Sequence, residues 1–133
     1  MKKYKILIVL ADFYEDISSA LLGRAKLQIP YKYAEPKNIK VIKVPGVFEI
    51  PVTISKNIKK YDAFIALWCV IKGETPHFDF ISSATTTAIM KLSVDSKKPI
   101  GNGIITCLDR NQAEDRINKA LGAVNAVISV LEQ

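Results

Sequence analysis

Apolar residues fall along this chain in two alternating rhythms. Short β-branched runs at 5–10 (KILIVL), 39–44 (IKVIKV), 63–71 (AFIALWCVI) and 100–106 (IGNGIIT) have the length and composition of strands. The near-continuous apolar character of the first and third suits strands buried on both faces. Between them the spacing lengthens. Segment 14–28 puts Ile17, Leu21, Leu22 and Ala25 on one helical face and is closed by Pro30. In 48–60, Phe48, Val52, Ile54 and Ile58 recur at helical spacing, with Pro51 tolerable only near the first turn. Gly73 breaks the third strand, and Thr75 as N-cap with Pro76 as first helical residue predicts a helix from there to about Leu92. Asp109 and Gln112 have the spacing of a capping box ahead of a helix over 110–131.

Four strand–helix pairs in succession imply right-handed crossovers and a parallel sheet covered on both faces, an α/β architecture. Neither a linker nor an internal repeat divides the chain, so one domain over residues 1–133 is expected. Ligands of such sheets sit beyond the carboxyl ends of the strands. Attention therefore falls on 11–14, 45–49, 69–77 and 106–112.

Composition narrows the classes. The chain has 133 residues, 49% of them hydrophobic and 24% charged, the balance of a soluble globular domain with a real core. The longest uncharged stretch, FISSATTTAIM at 80–90, is far short of the roughly 20 apolar residues of a bilayer span. The basic, then apolar, N-terminus reads as a first strand and not as a signal peptide, because no small-residue cleavage site precedes Asp12. No membrane association is expected. Cys69 and Cys107 match neither a zinc pair nor a redox motif and read as buried reduced thiols of a cytoplasmic protein. The net charge of +6 comes from scattered lysines without an aromatic-interleaved basic stripe, which argues for anionic small molecules and against nucleic acid. The GxGxxG, GxxxxGK(S/T) and HExxH motifs and Cys/His clusters are missing, so nucleotide hydrolysis and metal catalysis lose their usual support.

What remains is a short list of side chains at the strand ends. His77 is the only histidine. Near the start of a helix, where free N–H groups and the dipole disfavour added positive charge, its imidazole should rest neutral and able to accept a proton. It reads equally as a surface residue beside a cap. The same helix start offers N–H donors from Glu74 to His77 and the Thr75 hydroxyl, a cradle for phosphate. Arg116, one turn after Gln112, could supply the cation, or could belong to a solvated charged face with Glu114 and Asp115. In VPGVFEIP, Pro45-Gly46 forces a turn, freeing the N–H groups of Val47, Phe48 and Glu49, and Glu49 offers a carboxylate to hydroxyls. The alternative is a tight loop with Phe48 packed inward and Glu49 serving the helix dipole. Phe13 is a stacking platform or simple packing.

Three blocks, VPGVFEIP, CVIKGETPHFDF and GNGIIT followed by QAEDR, resemble in order and spacing the signature blocks of the lumazine synthase family, and the resemblance runs over essentially the whole chain from Lys5. That family makes 6,7-dimethyl-8-ribityllumazine in the penultimate step of riboflavin biosynthesis. The resemblance implies a three-layer flavodoxin-like fold with a four-stranded parallel sheet, in a homopentamer that some members build into an icosahedral shell of sixty subunits. It implies condensation of 5-amino-6-(D-ribitylamino)uracil with 3,4-dihydroxy-2-butanone 4-phosphate, releasing inorganic phosphate and water, without cofactor or metal. Carried over by motif, Phe13 would stack on the heterocycle and Val47, Phe48 and Glu49 would hold the ribityl chain. Cys69, Val70 and Ile71 would meet the pyrimidine edge through backbone. Gly73, Glu74 and Thr75 would bind phosphate, with Arg116 reaching in from the next subunit, and His77 would move protons.

This sequence departs from the family at three points. Asn102 stands where an aromatic of the neighbouring subunit usually covers the ring. Lys119 lies at a different offset from the family's further lysine, and the N-terminal extension common in relatives is missing. Two other classes compete: a lumazine- or flavin-binding protein on the same scaffold without catalysis, and a thiol hydrolase pairing Cys69 or Cys107 with His77. Retention of both His77 and Arg116 argues against the first, and the lack of a strained nucleophile turn argues against the second. The Ser/Thr/Ala-rich face of 80–90 is too uncharged for a solvated helix and is expected to be buried between subunits.

Overall fold

The structure is a computed structural model and describes residues 3–12, 14–72 and 78–133, apart from the side chains of Phe78 and Lys119. Strands β1 (Ile6–Ala11), β2 (Ile39–Val44), β3 (Ala63–Ile71) and β4 (Ile100–Cys107) alternate with helices α1 (Glu15–Gln28), α2 (Glu49–Lys56), α3 (Phe78–Ser96) and α4 (Arg110–Leu131). The strands form one all-parallel sheet in the order β2-β1-β3-β4. This is the flavodoxin-like winding, in which the chain steps outward from β1 in both directions and helices cover both faces.

Strand alternation divides the core into two layers. Ile6, Ile8 and Leu10 of β1, with Ala63, Ile65, Leu67, Cys69 and Ile71 of β3, face α1 and α4. Leu7, Val9, Ala11, Phe64, Ala66, Trp68 and Val70 face α2 and α3. Every residue of β1 and β3 is buried, which is why both read as unbroken apolar runs. At about 1.5–3 kcal/mol for each large aliphatic side chain removed from water, these two strands are the largest single stabilising block. The edge strand β2 is only partly buried, and its lysines Lys40 and Lys43 keep it soluble.

The ends of the elements mostly follow the sequence reading. β2, β3 and α4 match it, β1 is shifted by one residue, and β4 runs one residue further. Asp109 accepts a hydrogen bond from the Gln112 N–H at 3.0 Å, and Gln112 Oε1 accepts one from the Leu108 N–H at 2.9 Å. The capping box thus closes one residue earlier on the return side than in the usual pattern. Helix α3 continues past Leu92 to Ser96, because Ser93 Oγ donates to the Lys98 carbonyl and Lys91 pairs with Asp95 at 2.8 Å. Lys97, at φ 60°, then turns the chain into β4. The predicted N-cap Thr75 and Pro76 lie outside the described residues. In α2 the expected face holds only in part, with Ile54 buried and Ile58 packed against the core but Phe48 and Val52 turned outward. Ile50 and Ile54 are buried, whereas Phe48 and Val52 are both 56% exposed.

α4 lies unusually close to β4. A Cβ on Gly101 would stand 2.5 Å from the Ala123 carbonyl oxygen, and one on Gly103 would stand 2.8 Å from the Ala66 carbonyl oxygen. The helix presents Ala113, Ala120 and Ala123 to this surface, so small residues meet from both sides. Because the obstacle at Gly101 is backbone, relief requires the helix to move. Gly101→Ala is expected to destabilise the fold by about 1–3 kcal/mol, the usual cost of overpacking. Urea unfolding of the variant against the parent chain checks this through the shift in midpoint at unchanged slope.

Candidate functional site at the carboxyl edge

All four strands end at one edge, and the singled-out segments gather there. The Asp12 N–H donates to the Val44 carbonyl at 3.1 Å and ties the end of β1 to the end of β2. The turn at Pro45-Gly46 then leads directly into α2. Val47 is buried, Phe48 is exposed to solvent, and Glu49 is half-buried as the first residue of the helix. Phe48 is therefore not packed inward. The Glu49 N–H already donates to the Gly46 carbonyl at 3.3 Å, so of the three N–H groups expected to be free, Val47 and Phe48 supply the available donors. Glu49 Oε1 lies 3.2 Å from where a Cβ on Gly46 would be, which holds its carboxylate over the turn.

At the end of β3, Cys69, Val70 and Ile71 are buried, and the Lys72 N–H donates to the Cys107 carbonyl at 2.9 Å. The β3–β4 ladder is thereby carried one residue past Ile71. Cys107 Sγ donates to the Val70 carbonyl at 3.5 Å. Burial, and then the neighbouring Cys107, push the Cys69 thiol up to about 12. A thiol so held is protonated at neutral pH, which argues against Cys69 as the nucleophile of a thiol hydrolase. Phe13, Gly73, Glu74, Thr75 and His77 lie outside the described residues.

Arg116 is half-buried on α4 and lines two adjoining clefts. One, of about 230 Å³, is bounded by Lys72, Thr106, Cys107, Leu108, Gln112 and Arg116. The other, of about 170 Å³, runs along β4 past Asn102, Gly103 and Thr106 to Arg116 and Ala120. The structure thus brings Arg116 and Asn102 together along the outer flank of the edge strand. Among the described residues, Arg116 has no ion pair with Glu114, Asp115 or any other carboxylate, so it is not tied into a charged face. Asn102 Oδ1 accepts from the Ile104 N–H at 3.1 Å, and its Nδ2 donates to Thr86 Oγ1 at 3.3 Å. Its amide therefore satisfies a backbone donor on the strand and holds α3 to it. Val47, Phe48 and Glu49 belong to the far side of the sheet, since three strand spacings, about 14 Å, separate β2 from β4.

Sequence reasoning passed over Lys72 and Thr106. The signal for Lys72 was a single charge between a buried strand and a glycine, and its neighbour across the ladder is set by register, which the local sequence does not carry.

A parallel sheet in this winding order, with polar and cationic groups collected at its carboxyl edge, defines a flavodoxin-like α/β protein of the class whose ligands bind beyond the strand ends. Residues 3–133 match the family model described as 6,7-dimethyl-8-ribityllumazine synthase, and the chain belongs to that family. A protein of that name from Polaromonas sp. is 38% identical over 132 residues, covering 97% of this chain and 86% of its own length. Another from Agrobacterium fabrum is 41% identical over 127 residues, covering 90% and 84%. A third, from Corynebacterium kroppenstedtii, is 40% identical over 112 residues, covering 84% and 69%.

The thiol geometry gives a direct test. Iodoacetamide at pH 8 should leave both cysteines of the folded protein essentially unmodified and label both after unfolding in guanidinium, as read by mass spectrometry. The sign of the accompanying pH effect is fixed. A thiol of ordinary value 9.0 that is raised to about 12 on folding favours the folded state fully below pH 9. That contribution declines as pH rises from about 9 towards 12, because the unfolded chain then loses the proton first.

Proposed function

We propose that the chain condenses 5-amino-6-(D-ribitylamino)uracil with 3,4-dihydroxy-2-butanone 4-phosphate to 6,7-dimethyl-8-ribityllumazine, releasing phosphate and two waters. The observation that carries this is the family match over residues 3–133. The reaction is a group transfer between two small molecules, as expected of a single domain in the cytoplasm. Among the described residues, no helix is long and apolar enough to cross a membrane.

The chemistry divides into steps that this edge of the sheet suits. The 5-amino group attacks the ketone, and loss of water gives an imine. Phosphate then leaves the adjacent carbon chain by elimination. The enol left by the elimination tautomerises to a ketone at the formerly hydroxyl-bearing carbon, the ribitylamino nitrogen attacks this new carbonyl, and loss of the second water closes the ring. Each step moves a proton and none moves electrons to an external acceptor. His77 is assigned the proton transfers, as a neutral imidazole beside a helix start. Gly73, Glu74 and Thr75 are assigned to the phosphate through N–H and hydroxyl donors, which stabilise the departing anion. Val47, Phe48 and Glu49 hold the ribityl hydroxyls, Cys69, Val70 and Ile71 the pyrimidine edge, and Phe13 a ring face. Asn102 borders the remaining ring face, where its committed amide leaves little stacking surface.

The site is shared between subunits of a homopentamer. Two observations support this. The groove containing Asn102 and Arg116 opens on the outer flank of β4, about 14 Å from the β2 end that carries Glu49. Along α3, Phe80, Ala84, Thr87, Met90 and Val94 share one exposed stripe, with Phe80 69%, Met90 64% and Val94 70% exposed in a single chain. An apolar stripe of that length is a helix face awaiting a partner.

Mixing the purified protein with both substrates, without cofactor or metal, should produce lumazine absorbance and fluorescence. His77→Ala should lower the catalysed rate by about 10- to 1,000-fold with the fold intact. An unchanged turnover number removes His77 from the mechanism, and no lumazine from the parent chain overturns the function.

A further inference from the structure

The amino edge of the sheet, opposite the site described above, gathers lysines that are scattered in the sequence. A cleft of about 320 Å³ there is lined by Lys5, Lys37, Asn38, Lys40, Lys60 and Tyr61, with no carboxylate in its lining. Three segments meet in it: the entry to β1, the 3-10 turn Pro36–Asn38 with the start of β2, and the turn from α2 into β3. Leu7 pairs with Lys40 and Lys5 precedes Leu7 by two, so strand alternation turns both lysines to the face that carries α2. The points from which the side chains spring are pinned. The Asp62 N–H donates to the Lys5 carbonyl and the Lys5 N–H to Asp62 Oδ2, each at 2.8 Å. The Asn38 N–H donates to the Glu35 carbonyl at 2.8 Å and the Lys60 N–H to the Asn57 carbonyl at 2.9 Å. Lys98 Nζ braces the same turn by donating to the Ile58 and Tyr61 carbonyls at 2.5 and 2.9 Å. The carboxylates nearby are engaged: Asp62 takes the Lys5 N–H, and Glu35 pairs with Lys3 at 2.8 Å and Lys37 at 3.4 Å. Among the described residues no carboxylate pairs with Lys5, Lys40 or Lys60. Protection of an edge strand accounts for Lys40 but not for Lys5 and Lys60, which stand at the entries to the two central strands.

We propose that this cleft binds a compact polyphosphate anion, either free or as the phosphate tail of a nucleotide. Four ammonium groups around one concavity repel one another, and a ligand with three or more negative charges relieves that repulsion while gaining several charge-assisted contacts. The volume lies at the lower end for small-molecule pockets and suits a short phosphate chain. Lysine ammoniums are point charges on flexible stems, which follow such a chain without fixing one geometry. Asn38 adds an amide, and the half-buried Tyr61 an aromatic group, at the same cleft. The site is separate from the reaction proposed above. β3 is nine residues long, which sets the two edges of the sheet about 26 Å apart. Binding here does not depend on whether the chain forms lumazine.

Calorimetry at about 0.05 M salt, where screening is weak, tests this with sodium tripolyphosphate and magnesium-free ATP as probes. The parent protein should bind tripolyphosphate. The double variant Lys5→Met/Lys60→Met, with circular dichroism and assembly size unchanged, should bind it about 10- to 100-fold more weakly, the loss expected for two charge-assisted contacts at an exposed site. Lys60→Met alone, in an exposed turn, should cost about 3- to 10-fold and serves if the double variant does not fold. Lys5→Arg/Lys60→Arg keeps the charges and should stay within about 3-fold of the parent. Arg116→Ala, at the distant carboxyl edge, should leave this binding within about 2-fold. ATP and tripolyphosphate bound equally would make the free chain sufficient. ATP bound more tightly, with the surplus lost in Tyr61→Leu, would make the ligand a nucleotide, and either result supports the site. No tripolyphosphate binding by the parent overturns the proposal, as does binding that ignores Lys5→Met/Lys60→Met or disappears in Arg116→Ala. A parent that ignores tripolyphosphate yet binds a single-stranded RNA homopolymer through these lysines overturns it too, in favour of an extended polyanion surface.

Discussion

The parallel pairing of β3 with β1 on one side and β4 on the other is the constraint on which the rest depends. A parallel sheet brings every carboxyl end to one edge, and both faces must then be covered, which dictates a helix after each strand. Nine consecutive buried residues in β3 make that strand the least movable element of the chain. Whatever hangs from its end inherits the rigidity. Ile71 and Lys72 are held there, and β4 keeps the same register as far as Cys107. The described groups at these strand ends therefore sit on a rigid scaffold, as preorganised donors require.

The close approach of α4 to β4 extends this rigidity to the second half of the site. Gly101 lets the helix lie against the strand, Gly103 admits the neighbouring β3, and Arg116 projects from the helix beside Asn102. Among the described residues no carboxylate pairs with Arg116, which leaves its charge open to an external anion. On the other flank, Glu49 is fixed over a proline–glycine turn. The two flanks lie at opposite edges of one sheet, so a ligand touching both kinds of group is best served by two subunits side by side.

Much of this was legible in the sequence. β2 and β3 could be delimited because apolar runs bounded by polar or glycine residues have few alternative readings, and α4 because Asp109 and Gln112 announce its start. α2 misled in part because Phe48 and Val52 satisfy helical spacing with Ile54 as well as Ile50 does, and periodicity alone does not say which of them meets the sheet. The end of α3 was expected at about Leu92, whereas Ser93 bonds across the turn and the helix runs on to Ser96. That Lys72 and Arg116 line one cleft was invisible for a different reason. It joins two distant positions through strand register and helix packing, which are tertiary facts.

The central claim is that the site is completed by two subunits, with His77 from one and Arg116 from the next. In a closed ring every contact joins two different surfaces, so inactive His77→Ala and Arg116→Ala chains each spoil a different half of every site. Co-refolded in equal amounts into mixed rings, they should regenerate intact sites at about one quarter of interfaces, the product of two one-half chances. Activity should rise to roughly a quarter of the parent protein's, while blending preformed rings changes nothing. Mixed rings that demonstrably exchange subunits yet show only the average of the two variants would contradict the account and place both groups in one chain.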